Sequence, residues 1–251
     1  MDWKEKVTAL EAFYQKSFEQ PRFVAKVFTS GSYAKKVRAL ARLGRRTPEE
    51  VELICEQVEH LRRAFKIMDD LIDEDVVRDG KPAFWVLHGE AATIEQAAWH
   101  LREARRLARQ LGVELLFEQR LREVIEGARL EVELEAGWEP PDPAIAWFRV
   151  VQKEASFRLY IAEALQCPPE VCEAARQDGV AAQMLDDGLS ALYGKDGRPV
   201  EDSSDIRLDR LTYMRAFGVS PEEAVRRGRE LKSKVAPILG RKEVERNEEK
   251  L

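Results

Sequence analysis

The chain has 251 residues, a formal net charge of −5, 44% hydrophobic and 35% charged residues. This balance suits a sizeable core and argues against a general nucleic-acid binder. No stretch approaches the ~20 apolar residues that span a bilayer, and acidic residues stand where a secretion signal has its apolar core, so a cytoplasmic protein with no transmembrane segment is expected.

Helical periodicity runs through almost the whole chain. A first amphipathic helix is predicted over 2–18, ending before Pro21, and a short basic one over 31–43. Thr47-Pro48-Glu49-Glu50 is a start signal, with Thr47 as N-cap, Pro48 at N1 and Glu50 at N3, for a helix reaching about residue 74. Pro82 restarts the chain. Helices follow over 91–111, stopped by Gly112, over 113–136, closed by Gly137 and Pro140-Pro141, and over 142–166. Pro168-Pro169 open another through Tyr193, and a polar loop over 194–203 precedes helices at 204–217 and 220–239. No strand alternation or hairpin signal is read anywhere. No linker or internal repeat divides the chain, so one domain over 1–240 with a charged tail at 241–251 is expected.

Several chemistries lack their residues. Three cysteines (Cys55, Cys167, Cys172) are too few and too odd for a disulfide framework, and ordinary packing suits them. The three histidines form no HxxxH or HExxH, and no GxGxxG or GxxxxGK[ST] cradle occurs. Asp69-Asp70-Leu71-Ile72-Asp73 remains. On a helix Asp69 and Asp73 share one face with Asp70 beside them, among the apolar Phe65, Ile67, Met68, Leu71 and Ile72. Like charges so placed repel unless a cation lies between them, and oxygen ligands alone favour a hard ion such as Mg²⁺. So short a pattern also suits a solvated acidic helix end. Gln183-Met184-Leu185-Asp186-Asp187 repeats the paired acids in a second apolar helix.

With DDxxD in one helix and QxxDD in another, the chain resembles the trans-isoprenyl diphosphate synthase (polyprenyl synthetase) family, as a divergent member. Arg78-Asp79-Gly80-Lys81-Pro82 with Gly89-Glu90-Ala91 is similar to the family's RRGxP…GEA segment, Lys153-Glu154 to its Lys-Thr pair, and Ser204 to Thr212 to its SDLREGKxT stretch. The resemblance spans roughly residues 31 to 213. It implies an all-α, isoprenoid synthase-type helical bundle around a central apolar cavity, and a homodimer. It also implies a cluster of Mg²⁺ ions held by Asp69, Asp70 and Asp73 on one side and Asp186 and Asp187 on the other. Lys153, Arg78 and Arg210 would meet the diphosphate of an allylic prenyl substrate, and Gln183 matches the family glutamine. Alone, Arg78 and Lys153 would read as surface bases. Phe65, one turn before Asp69, would floor a prenyl channel, although a plain core aromatic would look the same.

The chemistry implied is ionisation of an allylic diphosphate inside a water-poor cavity, with fixed cations stabilising the leaving group. The departures cluster at the second substrate. Lys35 and Arg38 stand in a degenerate version of the family's GGKRxRP segment, Arg62 replaces a histidine, Asp79 an arginine, Glu154 a threonine, and the second motif ends in Ser190. Three readings follow: head-to-tail extension with isopentenyl diphosphate through Lys35, Arg38 and Arg62; a relative with another acceptor (as in the prenyltransferase of moenomycin assembly) or a cyclised cation; and a silent subunit. The acidic banks argue against the third.

Overall fold

The computed structural model describes residues 1–241 except Thr29, Ala136, Trp138 and 195–198. The expected tail from 242 onward and part of the 194–203 loop lie outside the described residues.

Among the described residues twelve α-helices and one two-stranded ribbon follow in order: α1 (Trp3–Lys16), α2 (Ser32–Ala41), α3 (Pro48–Ile72), β1 (Val77–Arg78), β2 (Lys81–Pro82), α4 (Phe84–His88), α5 (Glu90–Gln110), α6 (Glu114–Glu135), α7 (Pro143–Val150), α8 (Gln152–Ala164), α9 (Pro169–Tyr193), α10 (Ser204–Arg207), α11 (Tyr213–Phe217) and α12 (Pro221–Val235). The long helix α3 begins as its sequence dictates. Thr47 accepts the amide of Glu50, the Glu50 carboxylate accepts that of Thr47, and Pro48 occupies N1, where its missing N–H is no loss.

α3 packs on α5 and α2, α8 on α9 and α6, and α9 on α12, with α1 laid across α5 and α6. The main core gathers Phe13, Ile54, Val58, Leu61, Met68, Leu71, Leu101 and Phe117. Inside it Tyr160 donates to Gln57 Oε1 at 2.7 Å and Gln57 Nε2 to the Ala104 carbonyl at 2.9 Å, so α8, α3 and α5 share a satisfied polar link. A second core around Trp147, Tyr213 and Phe217 ties α7 to α11.

Three expectations need correction. The region 77–82 is a hairpin: Val77 pairs with Pro82 and Arg78 with Lys81 around Asp79 and Gly80, at φ 52° and 72°. Asp-Gly is the composition that a two-residue turn with both φ positive selects, but strands of two residues leave no alternation to read. The predicted helix over 142–166 bends at Val151, because α7 packs on α11 while α8 packs on α9. The predicted helix over 204–217 is two short pieces. Between them Asp209 turns left-handed (φ 50°) and the Arg210 amide bonds back to the Asp205 carbonyl.

Two glycines let helix backbones meet where the cavity forms. A Cβ on Gly127 of α6 would lie 2.9 Å from the Val150 carbonyl oxygen and 3.0 Å from the Lys153 nitrogen. One on Gly179 of α9 would lie 2.6 Å from Ala155 Cα. Gly179→Ala is expected to lose about 1–3 kcal/mol in urea melts, as overpacked cores do, because backbone rather than a side-chain tip must move.

His60 on α3 and His100 on α5 meet at 3.0 Å, Nδ1 to Nδ1, both buried, and burial lowers them from the ordinary 6.5 to about 4 and about 3. The unfolded rings take up protons below about 6.5 and the folded pair does not, so the contribution of this pair to stability is full above that pH and falls as pH drops toward 4. Each ring contributes a slope approaching 1.4 kcal/mol per pH unit, by the standard conversion of about 1.36 kcal/mol per unit of pKa. Urea melts of the parent and of His100→Gln at pH 7, 6 and 5 check this: the stability of the parent relative to the variant should fall as the pH is lowered.

Candidate active site

The C-terminal half of α3, the middle of α6 and α9 and the start of α8 enclose a cavity of about 420 Å³, with the 203–212 segment at its rim. That volume falls in the range of small-molecule sites. The structure places Asp69, Asp73, Asp186, Lys153, Arg62, Phe65, Arg78, Gln183 and Arg210 along its wall. Four residues singled out from the sequence lie elsewhere.

Asp70 is buried beside the cavity rather than in it. Arg78 donates to it through Nε at 2.6 Å, while burial lifts its carboxyl to about 6 against that attraction. Asp187 points into the second core. It accepts from the Tyr213 amide at 2.6 Å, Gln183 Nε2 at 2.7 Å and Trp147 Nε1 at 3.1 Å. Burial, with Asp205 adding, raises it to about 7 against those three donors. On α2, Tyr33 and Val37 form the buried stripe, so Lys35 and Arg38 face outward. Arg38 grips Glu52 there through Nε at 2.8 Å and Nη2 at 2.6 Å.

Asp69 faces the cavity. Protein crowds it although water reaches it through the mouth, and this partial withdrawal from water, with Asp73 one turn away, pushes its carboxyl up to about 6. Lys153 donates to both Glu131 oxygens at 2.7 Å; burial opposes its charge, and Glu131 outweighs burial and holds the ammonium above the usual lysine range. Arg62 stacks over the Tyr33 ring at 5.0 Å. Arg207 donates to the Asp73 carbonyl at 2.6 Å and to Asp75 at 3.0 Å.

Charged groups dominate the mouth, and the apolar part of the cavity is short. Phe65, Phe157 and Val124 close its floor, and behind them only about 10 Å³ of void remains. Beyond Phe65 and Phe157 the cavity therefore narrows to that small void. Sequence reasoning passed over Glu131, Glu135, Tyr33 and Arg158. Arg158 follows Glu154 by one turn and pairs with it, a readable signal. Glu131 and Glu135 carry no such mark, since acids on an amphipathic helix ordinarily face water.

The resemblance implies an ion cluster, and the cavity offers the following donor set. It consists of oxygens only, which suits a hard cation. Yet among the described residues no three His, Cys, Asp or Glu side chains gather closely enough to hold an ion unaided. Asp70 and Asp187 turn away, and Asp73 is bound by Arg210. Asp69 and Asp186 face the cavity and fit an ion that completes its shell with water and substrate oxygens.

No family model and no curated protein matches the sequence. Solved structures do match its fold. A geranyltranstransferase from Thermotoga maritima superposes with a TM-score of 0.67 at 16% identity, covering 94% of this chain and 86% of that one. An isoprenoid synthase family member from Thermotoga neapolitana gives 0.63 at 17%, covering 95% and 90%. A geranylgeranyl pyrophosphate synthase gives 0.60 at 20%, covering 93% and 78%. The fold is the all-α isoprenoid synthase bundle.

Asp187→Leu leaves two buried donors, Trp147 Nε1 and the Tyr213 amide, without an acceptor, and a loss of several kcal/mol is expected at about 1–3 per group. Asp69→Asn should leave the melting temperature near that of the parent protein, and thermal melts of the two variants check the contrast.

Proposed function

We propose that this chain is a magnesium-dependent prenyltransferase that ionises an allylic prenyl diphosphate in the α3–α6–α8–α9 cavity. The observation that carries the reading is that Asp69 on α3 and Asp186 on α9 line one cavity, together with Lys153 and Arg62, which lie near Asp69, and the apolar Phe65 and Phe157. A magnesium ion between the two aspartates would act as a Lewis acid on the leaving diphosphate. Lys153, kept charged by Glu131, meets the diphosphate as a fixed cation that needs no reorganisation when the C–O bond breaks. Arg62 holds its guanidinium on the Tyr33 ring; no carboxylate pairs with it among the described residues, so it is ready for an anion. Phe65, Val124 and Phe157 keep water from the allylic cation. The released diphosphate can take the proton that the product cation loses, so no protein nucleophile or base is required.

Head-to-tail extension with isopentenyl diphosphate is the first reading of the acceptor. One observation favours a second, in which the acceptor differs or the cation cyclises: of Lys35, Arg38 and Arg62, Arg62 alone lines the cavity. A diphosphate acceptor would then meet fewer cations than the resemblance implies. Exposed Phe18, Phe23, Phe28 and Leu115 leave apolar surface for the homodimer that we also propose.

Incubation with Mg²⁺ and geranyl, farnesyl or geranylgeranyl diphosphate, with and without labelled isopentenyl diphosphate, tests both readings. A longer prenyl diphosphate supports the first. A hydrocarbon or alcohol formed without co-substrate supports the second, and no turnover in any mixture overturns the proposal. Asp69→Asn and Lys153→Met are each expected to lower turnover about 100-fold or more, as loss of a charge-stabilising group does. Equal losses of activity and melting temperature would mark both residues as structural.

A further inference from the structure

Arg210 lines the cavity and is committed to several acids at once. Its guanidinium takes both oxygens of Asp73, with Nη1 at 3.3 Å from Oδ2 and Nη2 on Oδ1. It also donates to Glu135 Oε1 through Nε at 3.2 Å and Nη2 at 3.1 Å, and stands 3.8 Å from Glu131. The remaining oxygens of those acids have their own cations: Lys6 reaches Glu135 at 2.6 Å and Lys153 reaches Glu131. Three positive groups, Arg210, Lys6 and Lys153, thus meet three negative ones, Asp73, Glu131 and Glu135. The set is neutral without any metal.

The backbone delivers Arg210 to this place. The left-handed turn at Asp209 aims it inward, and its amide bonds to the Asp205 carbonyl at 2.9 Å. Arg207, three residues earlier, fastens the same segment to the Asp73 carbonyl. A planar guanidinium suits two carboxylates in a tight space, whereas magnesium demands an octahedral shell that keeps several waters. Displacing Arg210 would leave Asp73 without its ion-pair partner and Glu135 with Lys6 alone, a costly change for acids so little exposed. The Asp69 carboxylate, one turn earlier, has no hydrogen-bond partner among the described residues, although its backbone carbonyl accepts from the Asp73 amide at 2.8 Å.

We propose that Arg210 is a resident counter-ion of the first acidic bank, filling the place beside Asp73 that a divalent ion would otherwise take, so that metal binds through Asp69 and Asp186. The inference rests on the reading of this cavity as a diphosphate site. Its consequence is a smaller metal complement than five carboxylates would hold.

The test measures Mn²⁺ binding by the loss of its free electron-spin-resonance signal, without and with inorganic diphosphate. Asp73→Asn should bind Mn²⁺ as the parent chain does, and Asp69→Asn should bind it about tenfold more weakly or worse, in the range seen when a metal site is disturbed. Arg210→Gln should take up an additional ion per chain, and Mn²⁺ should raise its melting temperature more than that of the parent. Equal weakening by Asp73→Asn and Asp69→Asn, no additional ion in Arg210→Gln, or no Mn²⁺ bound by any form would overturn the proposal. Should Arg210→Gln fail to fold, the two aspartate variants decide. A separate arm with diphosphate alone reads the melting temperature of the parent chain. No shift there removes the diphosphate reading, while the Mn²⁺ comparison without diphosphate still judges Arg210.

Discussion

Compensation of buried charge governs this structure. The segment from Asp69 to Asp79 and the acidic end of α6 would repel one another if left alone, and among the described residues each of these acids except Asp69 has a hydrogen-bonding or ionic counterpart. Arg78 returns from the hairpin to Asp70, Arg207 and Arg210 arrive from the 203–212 segment, the N-terminal ammonium takes Glu74, and Lys66 takes Asp79. Ion pairs taken out of water gain little net stability, because desolvation offsets their attraction. Their effect here is positional: the connections between helices are fastened at the ends of α3 and α6, where the cavity opens.

Close backbone packing supplies the second constraint. Gly127 and Gly179 let α6 and α9 approach the start of α8, and the bend at Val151 turns α8 away from α7 at that contact. Lys153 stands two residues past the bend, so its ammonium reaches Glu131 on α6 across the same contact. A bulkier residue at either glycine would shift the helix that carries the cation. The electrostatics of the cavity therefore depend on a van der Waals fit made by the uncharged Gly127 and Gly179, the first of them against the backbone of Lys153 itself.

The two aspartate motifs have unequal halves. In each, one carboxylate faces the cavity and its neighbour is turned into protein, Asp70 to Arg78 and Asp187 to Trp147, Gln183 and Tyr213. Adjacent residues on a helix lie about 100° apart, so one rotation of the helix can aim only one of the pair at a shared centre. The second acid then serves the scaffold. Through Asp187 the α9 helix holds the start of α11, and this fixes the far end of the segment that carries Arg210.

Periodicity and caps in the sequence determined the helical class, the Thr47 start of α3, and the placing of Asp69 and Asp73 on one face, because these depend on local spacing. The Asp79-Gly80 turn was equally local and was passed over only because its strands are too short to alternate. Tertiary structure alone decided what no spacing contains. Lys35 and Arg38 lie outside because Tyr33 and Val37 claim the buried side of α2, and the cavity narrows where Phe65 from α3 and Phe157 from α8, far apart in the chain, come to line one floor. Glu131 and Glu135 became partners of Lys153 and Arg210 for the same reason: the charge a buried acid meets is set by which helix lies against it, and that neighbour is distant in the chain.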